Sequence, residues 1–373
     1  MRPKVSFIVP CYKLGHLLAE CIESILAQGY QDFEVLIMDD CSPDNTPEVA
    51  KSFGDARIQH IRNEPNLGHL RNYNKGIGLA KGDYIWLISA DDSLRSSRVL
   101  ERFVSLTERA PHVGYVFCPT MKVLEAQEVG VMKYSEIADH DVIIGGHKFL
   151  TEHLLSENIV PAPAAMARKE CYEKVSDFPL DLPHAGDWYL WGMFALYYDV
   201  GFCAEAMVNR RFHQANMSSW FYKEAASEMF ANNLGVLQRI RTRAEREGFR
   251  SVVDGCRRGV AEEFLREVTP PKAGDVVFAH LTAEEFEESL GRLGYPNAEQ
   301  EEIRAQVYAS LGDVYYERGD FPQAAASYRR ALQRATPSLS LRAKYALLKM
   351  GSFGSMLRDS VSRLKSHGRK GIS

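Results

Sequence analysis

A chain of 373 residues with 45% hydrophobic and 25% charged residues exceeds one typical domain and can bury a large core, so two or three units are expected. Its formal charge of −4 excludes a general nucleic-acid binder, which needs a basic face. There is no signal-peptide pattern, no apolar run of the roughly 18 residues that cross a bilayer, and no C-x-x-C among seven scattered cysteines, so a cytoplasmic protein with reduced thiols is expected.

In chain order, Val5 to Pro10 is a β-type run that Pro10 stops. From His16 to Gln28, the residues Leu18, Cys21, Ile22, Ile25 and Leu26 recur at helical spacing, with Gly29 as the C-cap. Phe33 to Met38 is a second strand and ends in Asp39-Asp40. A helix then starts with Thr46 as N-cap and Pro47 in its first turn. Ile58 to Ile61 is a weaker strand, Leu67 to Ala80 a helix, and Tyr84 to Ile88 a fourth, wholly apolar strand.

This βαβαβαβ order predicts a parallel sheet covered on both faces, with ligands bound beyond the carboxyl ends of its strands. Cys11-Tyr12, Asp39-Asp40 and Asp91-Asp92 follow strands one, two and four, so three polar clusters distant in sequence meet at one sheet edge. Asp91 and Asp92 either end their strand and cap the next helix or hold a divalent cation, for which oxygen donors suit Mg²⁺ or Mn²⁺. Neither G-x-G-x-x-G nor G-x-x-x-x-G-K-[ST] is present, so a phosphate-bearing ligand would lack a glycine cradle and need a metal.

Further on, Val113 to Cys118 is another strand, and residues 164 to 168 form one directed back toward the cleft. Asp187 lies at the first turn of a helix whose positions 188, 191 and 194 are aromatic, where an acid also favours the helix dipole. Trp220, Phe221 and Tyr222 are either a mobile lid or packing against the next helix. From Glu224 the pattern is helical only, with amphipathic helices through Ile240, through Val268, and from Phe278 to Leu293. Tyr308, Leu311-Gly312, Tyr315, Gly319-Asp320-Phe321, Ala324, Tyr328, Ala331 and Pro337 resemble one tetratricopeptide repeat of about 34 residues. Leu341 to Met350 would begin a second copy. One repeat cannot bury both faces, which suggests a homodimer or a docking surface. Arg358, Arg363, Lys365, Arg369 and Lys370 give a basic tail, either solvated or touching a membrane surface.

Four of these stretches together carry a family resemblance. Val5-Ser6-Phe7-Ile8-Val9-Pro10-Cys11-Tyr12, Met38-Asp39-Asp40-Cys41-Ser42 through Thr46, Asn66-Leu67-Gly68 with Asn74-Lys75-Gly76, and Ala90-Asp91-Asp92 resemble the family 2 glycosyltransferases. The resemblance implies an α/β, Rossmann-like GT-A domain that binds a nucleotide sugar, over residues 1–223. An all-α part follows, with a helical linker over 224–300 and the repeat-like hairpin and tail over 301–373.

By the same resemblance, Pro10 and Tyr12 line the base pocket, Asp40 accepts from the base, Asp91 sits by the ribose and Asp92 ligates Mg²⁺ or Mn²⁺. Arg71 could reach the donor or be an exposed helix arginine. Arg211 could hold a diphosphate oxygen and His213 a metal or phosphate. Asp187 stands at the family's Glu-Asp-Trp position, with Gly186 replacing the Glu, and would be the catalytic base of an inverting transfer. The wording also departs at Lys13, where Asn is usual, at Cys41, where Gly is usual, and at Ser89, where a further Asp is common. The function implied is metal-dependent transfer from a nucleoside-diphosphate sugar, UDP first, to a glycan, small-molecule or peptide acceptor. The alternative is a nucleotide-sugar-binding scaffold whose helical tail recruits a partner.

Overall fold

The computed structural model describes residues 2–213, 216, 225–270, 281–334 and 339–349. The chain divides into two compact units, Met1–Cys256 and Arg257–Ser373.

The first unit opens with the expected alternation: β1 (Val5–Cys11), α1 (Gly15–Leu26), β2 (Phe33–Asp39), α2 (Thr46–Ser52), β3 (Ile58–Arg62), α3 (His69–Leu79) and β4 (Tyr84–Leu87). Every residue of β1, β2 and β4 is buried, as strands sandwiched between helices require. The four strands are parallel, in the order β3-β2-β1-β4. Their carboxyl ends therefore share one edge.

Two boundaries differ from expectation. Asn45, not Thr46, occupies the N-cap of α2, and the Thr46 hydroxyl instead donates to Asp44 Oδ1 at 2.6 Å. α3 begins at His69 because Gly68, with φ +79°, cannot continue a right-handed helix.

The chain continues through β5 (Ser93–Leu94), α4 (Val99–Arg109), β6 (Val113–Phe117), β7 (Thr120–Leu124), β8 (Gln127–Val131) and β9 (Val142–Ile144). Next come α5 (Gly146–Phe149), prolonged by a π turn over Leu150–Leu154, then β10 (Ala165–Arg168), α6 (Lys169–Val175), α7 (Gly186–Ala195), β11 (Asp199–Phe202) and β12 (Val208–Phe212). β10 does not run into the cleft. It lies inside the main sheet, antiparallel between β4 and β6, because Ala165, Met166 and Ala167 are small or apolar enough to be buried there. The core is aromatic at this point: the Trp86 ring stacks on Phe103 at 4.7 Å and on Phe7 at 5.4 Å, and its Nε1 donates to Pro163 O.

A second, four-stranded sheet has the order β5-β12-β7-β8. Its two-residue strand β5 pairs Ser93 with Asn209 and Leu94 with Val208. That pairing ties the residues just past Asp92 to the strand that carries Arg210 and Arg211, more than 100 residues later. The unit closes with α8 (Ala226–Glu247), capped by left-handed Gly248, and the start of α9 (Arg250–Val268). α8 approaches α7 closely, since a Cβ on Gly192 would stand 2.3 Å from Ile240 Cδ1.

The second unit is helical among its described residues: the end of α9, then α10 (Ala283–Arg292), α11 (Asn297–Glu317), α12 (Phe321–Leu332) and α13 (Leu339–Lys349). Thr282 and Glu285 form a capping box at α10. Gly319 at φ +79° turns the chain between α11 and α12, and the Asp320 side chain accepts from Gln323 N. Gly312 lets the two helices meet, for a Cβ there would stand 2.4 Å from the Tyr328 ring, whose hydroxyl donates to Asp313 Oδ1. α11 and α12 thus pack against each other as a pair of helices. The stretch beyond Lys349, including the basic tail, lies outside the described residues, as do Trp220, Phe221 and Tyr222.

Candidate active site

The nucleotide side is built on the ends of β1 and β2. Pro10 is buried within β1, while Tyr12 is 44% exposed with Lys13 Nζ 5.0 Å above its ring. Asp40 is 3% exposed, and its carboxylate accepts from Asn63 Nδ2, Leu67 N and Gly68 N at 2.9, 2.8 and 3.0 Å. Its first task is therefore to fold the loop over residues 63–68, although a carboxylate has lone pairs left for one more donor. The neighbouring Asp39 is wholly buried and bonded to Arg62, His60 and Ser42. Burial alone would raise its carboxyl, but these bonds outweigh it and hold the group below its ordinary 3.8.

Two departures in wording meet at this edge for one reason. Lys13 has φ 60° and Cys41 has φ 61°, the left-handed region that Asn tolerates and Gly occupies freely. A side chain in that region costs roughly 1–2 kcal/mol. Cys41→Gly is accordingly expected to stabilise the fold by about 1 kcal/mol, less the added chain entropy of glycine, as read by urea unfolding.

The carboxylate pair lies in a turn closed by Asp92 N donating to Ser89 O. Asp92 is 7% exposed and its Oδ1 accepts from Arg211 N at 3.0 Å. Burial, and then the charge of Asp91, push its carboxyl well above the ordinary range. Asp91 Oδ2 accepts from Asn216 Nδ2 at 3.0 Å and lies 3.1 Å from His213 Nε2. Asp91 Oδ1 is buried and has no hydrogen-bond partner among the described residues. A buried carboxylate oxygen left bare is costly, and a cation would relieve it.

Arg211 is drawn inward. Its Nε donates to Asp91 O at 3.2 Å and its Nη2 to Glu20 Oε2 at 2.6 Å, while Glu20 Oε1 accepts from Ser93 Oγ. Its guanidinium thus braces the Asp91–Ser93 turn against α1. Arg71 is exposed on α3 and has no ion pair among the described residues.

Asp187 opens α7 as expected. Its Oδ1 accepts from Trp188 N at 2.8 Å and its Oδ2 from Asn158 Nδ2 at 3.2 Å. Burial raises its carboxyl above 3.8, and these two bonds and the Arg210 charge recover only part of that shift. Gly186 beside it has a packing reason, since a Cβ there would stand 3.1 Å from the Phe178 ring.

Tyr73 feels the charge of all these stations. Its ring packs edge-on against His69 and Phe178 at 5.6 and 5.5 Å. Burial raises its phenol, and so do the charges of Asp91, Asp187, Asp92 and Asp40, so all four carboxylates act on this one group.

Sequence reasoning missed Tyr73, Asn158, Asn216, Glu20 and Arg210. Only Arg210 carried a signal: strand alternation sends neighbouring arginines to opposite faces, so one of Arg210 and Arg211 had to face away from the other. Asn158 and Glu20 reach the site from loops or helices with no local pattern.

The residues present fit a divalent cation. Asp91 Oδ1 and the buried Asp92 carboxylate supply oxygen donors, and Mg²⁺ commonly takes one or two carboxylates and completes its shell with water and substrate phosphate. No cluster of three or more His, Cys, Asp or Glu side chains that could hold a metal occurs among the described residues, so a protein-only cage is absent there. The open depression of about 330 Å³ lined by Gly145–Lys148 and Ala195–Asp199 contains none of these carboxylates.

Several known proteins resemble parts of this chain. Residues 6–136 match the family model described as Glycosyl transferase family 2. The glycosyltransferase GlyG of Streptococcus pneumoniae is 34% identical over 111 residues, 29% of this chain and 37% of that protein. An uncharacterized glycosyltransferase of Haemophilus influenzae is 28% identical over 235 residues, 61% of this chain and 70% of that one. The chain thus spans little more than a third of GlyG. The crystal structure of S. aureus TarS 1-349 in complex with UDP-GlcNAc superposes with a TM-score of 0.60 at 17% identity, covering 88% of this chain and 90% of that one. At that identity the likeness concerns the fold: a GT-A-type α/β domain followed by helices.

Proposed function

Taking residues 6–136 as a glycosyl transferase family 2 domain, we propose that this protein is a metal-dependent, inverting glycosyltransferase that uses a nucleoside-diphosphate sugar, UDP-linked first. The observation that carries it is the Asp91–Asp92 turn, where Asp91 Oδ1 is buried with no hydrogen-bond partner among the described residues and Asp92 is itself buried, while the charges of Asp40 and Asp187 act with theirs on the Tyr73 phenol. UDP as the nucleotide is supported by the TarS structures solved with UDP-GlcNAc and with UDP.

Tyr12 and the Asp40 loop hold the nucleotide at the ends of β1 and β2. Asp91 and Asp92 would hold Mg²⁺ or Mn²⁺, which when bound would supply a Lewis acid for the charge of the leaving diphosphate. Asp187 takes the proton of the acceptor hydroxyl as its oxygen bonds to the anomeric carbon. The bond from that carbon to the phosphate oxygen breaks, its electron pair leaves with the nucleoside diphosphate, and attack from the opposite face inverts the centre. Asn158 and Trp188 N orient the base. Glycans, small molecules and peptides remain acceptors of the reading, and a helical tail stacking on a second copy is its proposed oligomeric form.

A panel of nucleotide sugars, scored by Mn²⁺-dependent thermal stabilisation and then by donor hydrolysis, tests this directly. Metal-dependent binding with no turnover of any donor would leave a binding scaffold instead. The base makes a pH prediction as well. Asp187 works only when ionised and its carboxyl is raised, so kcat should fall on the acid side with an apparent pKa above 3.8. A pH–rate profile checks it, and an acid limb at or below 3.8 would remove Asp187 from the role.

A further inference from the structure

Arg210 is a cation near this cleft that, in the reaction outlined above, acts on Asp187 by its charge and binds neither donor nor acceptor. One of its N–H groups donates to Tyr134 Oη at 2.9 Å, and its guanidinium lies 5.1 Å from the Phe212 ring centre. Asp92 and Asp187 are the acids whose charges act on it. On the neighbouring strand Lys122 stands opposite Arg210 in register, and Lys122 Nζ lies 5.2 Å from the same Phe212 ring. Lys122 has no ion pair among the described residues. Like charges directly opposite one another across two strands repel, so the pair costs stability unless an anion joins it.

The position of this group sets what it can bind. Its inner end, Arg210, is electrostatically coupled to the acceptor-side base Asp187. Its outer end lies on β7 of the second sheet, whereas the nucleotide side is built on β1 and β2 of the first. A guanidinium with unspent N–H groups matches phosphate or carboxylate oxygens, and the ammonium adds a point charge. We propose that Arg210, Lys122 and the Phe212 ring that both approach form a subsite for an anionic group, phosphate or carboxylate, carried by the acceptor. The inference rests on the glycosyltransferase reading of the same cleft. It makes that enzyme's acceptor an anionic hydroxyl compound.

The test is binding, so it does not depend on turnover. The full-length protein is titrated, with saturating UDP and Mn²⁺, against sn-glycerol 3-phosphate and glycerol, and against glucuronate and glucose, by ligand-observed NMR. At least one anionic probe should bind about tenfold tighter than its neutral partner, as charge-assisted hydrogen bonds require. The phosphate and carboxylate arms say which group is preferred. Lys122→Gln should weaken that probe about fivefold, and Lys122→Arg should restore it. No preference for either anion, displacement of the anion by UDP, or an affinity unmoved in Lys122→Gln would each overturn the proposal. Absent UDP binding with the anion preference intact would instead count against the nucleotide-sugar reading alone.

Discussion

An Asp187→Asn enzyme is expected to bind donor as the wild type does and to transfer sugar about 10²–10⁴-fold more slowly, the usual contribution of general-base catalysis. Asn keeps the size of Asp and an oxygen able to accept from Trp188 N, the bond that now fixes the carboxylate at the start of α7. It removes the only thing the reaction needs there, a negative oxygen able to take a proton. Burial raises the Asp187 carboxyl, so the ionised form is a stronger base than an exposed aspartate, while the nearby Arg210 charge keeps ionisation accessible. Steady-state transfer beside UDP affinity separates the two effects. Normal transfer by the variant would mean that another group takes the proton.

Asp91→Asn should cut metal-dependent turnover by about 10²-fold or more and weaken donor binding only when Mn²⁺ or Mg²⁺ is present. The reason is local. Asp91 Oδ2 is already engaged by Asn216 and His213, and Oδ1 is buried with no hydrogen-bond partner among the described residues. An amide there gives up the charge that attracts a cation while its shape still fills the turn. UDP titrations with and without metal check this, and equal losses in both would make Asp91 a structural residue. Ser89 does not replace the outer acid of the family wording in any bond we see: its carbonyl closes the turn by accepting from Asp92 N.

Several assignments changed meaning once distances were known. Arg211 was expected at a diphosphate, and its guanidinium instead joins Asp91 O to Glu20, 191 positions away in the chain. Asp40 was expected to meet a base, and it first closes a loop through two backbone N–H groups. Lys13 and Cys41 depart from the family wording, and both carry a left-handed backbone. Gly186 looked like a lost acid, and it makes room for Phe178.

What the sequence by itself determined follows from periodicity and local chemistry. Alternating apolar strands and 3.6-period helices specify a parallel sheet covered on both faces, and strand ends then specify the edge where Tyr12, Asp40 and Asp91-Asp92 gather, while the order β3-β2-β1-β4 is seen only in the structure. The helix over Gly186–Ala195 with its first-turn acid was legible for the same reason. What only the tertiary structure decided is which side chains meet across long gaps: β10 entering the middle of the sheet, β5 pinning β12 beside Asp92, and Asn158 reaching Asp187. Such contacts depend on where two distant backbones come to lie within a few ångströms, and neither partner's neighbours in the chain encode that distance.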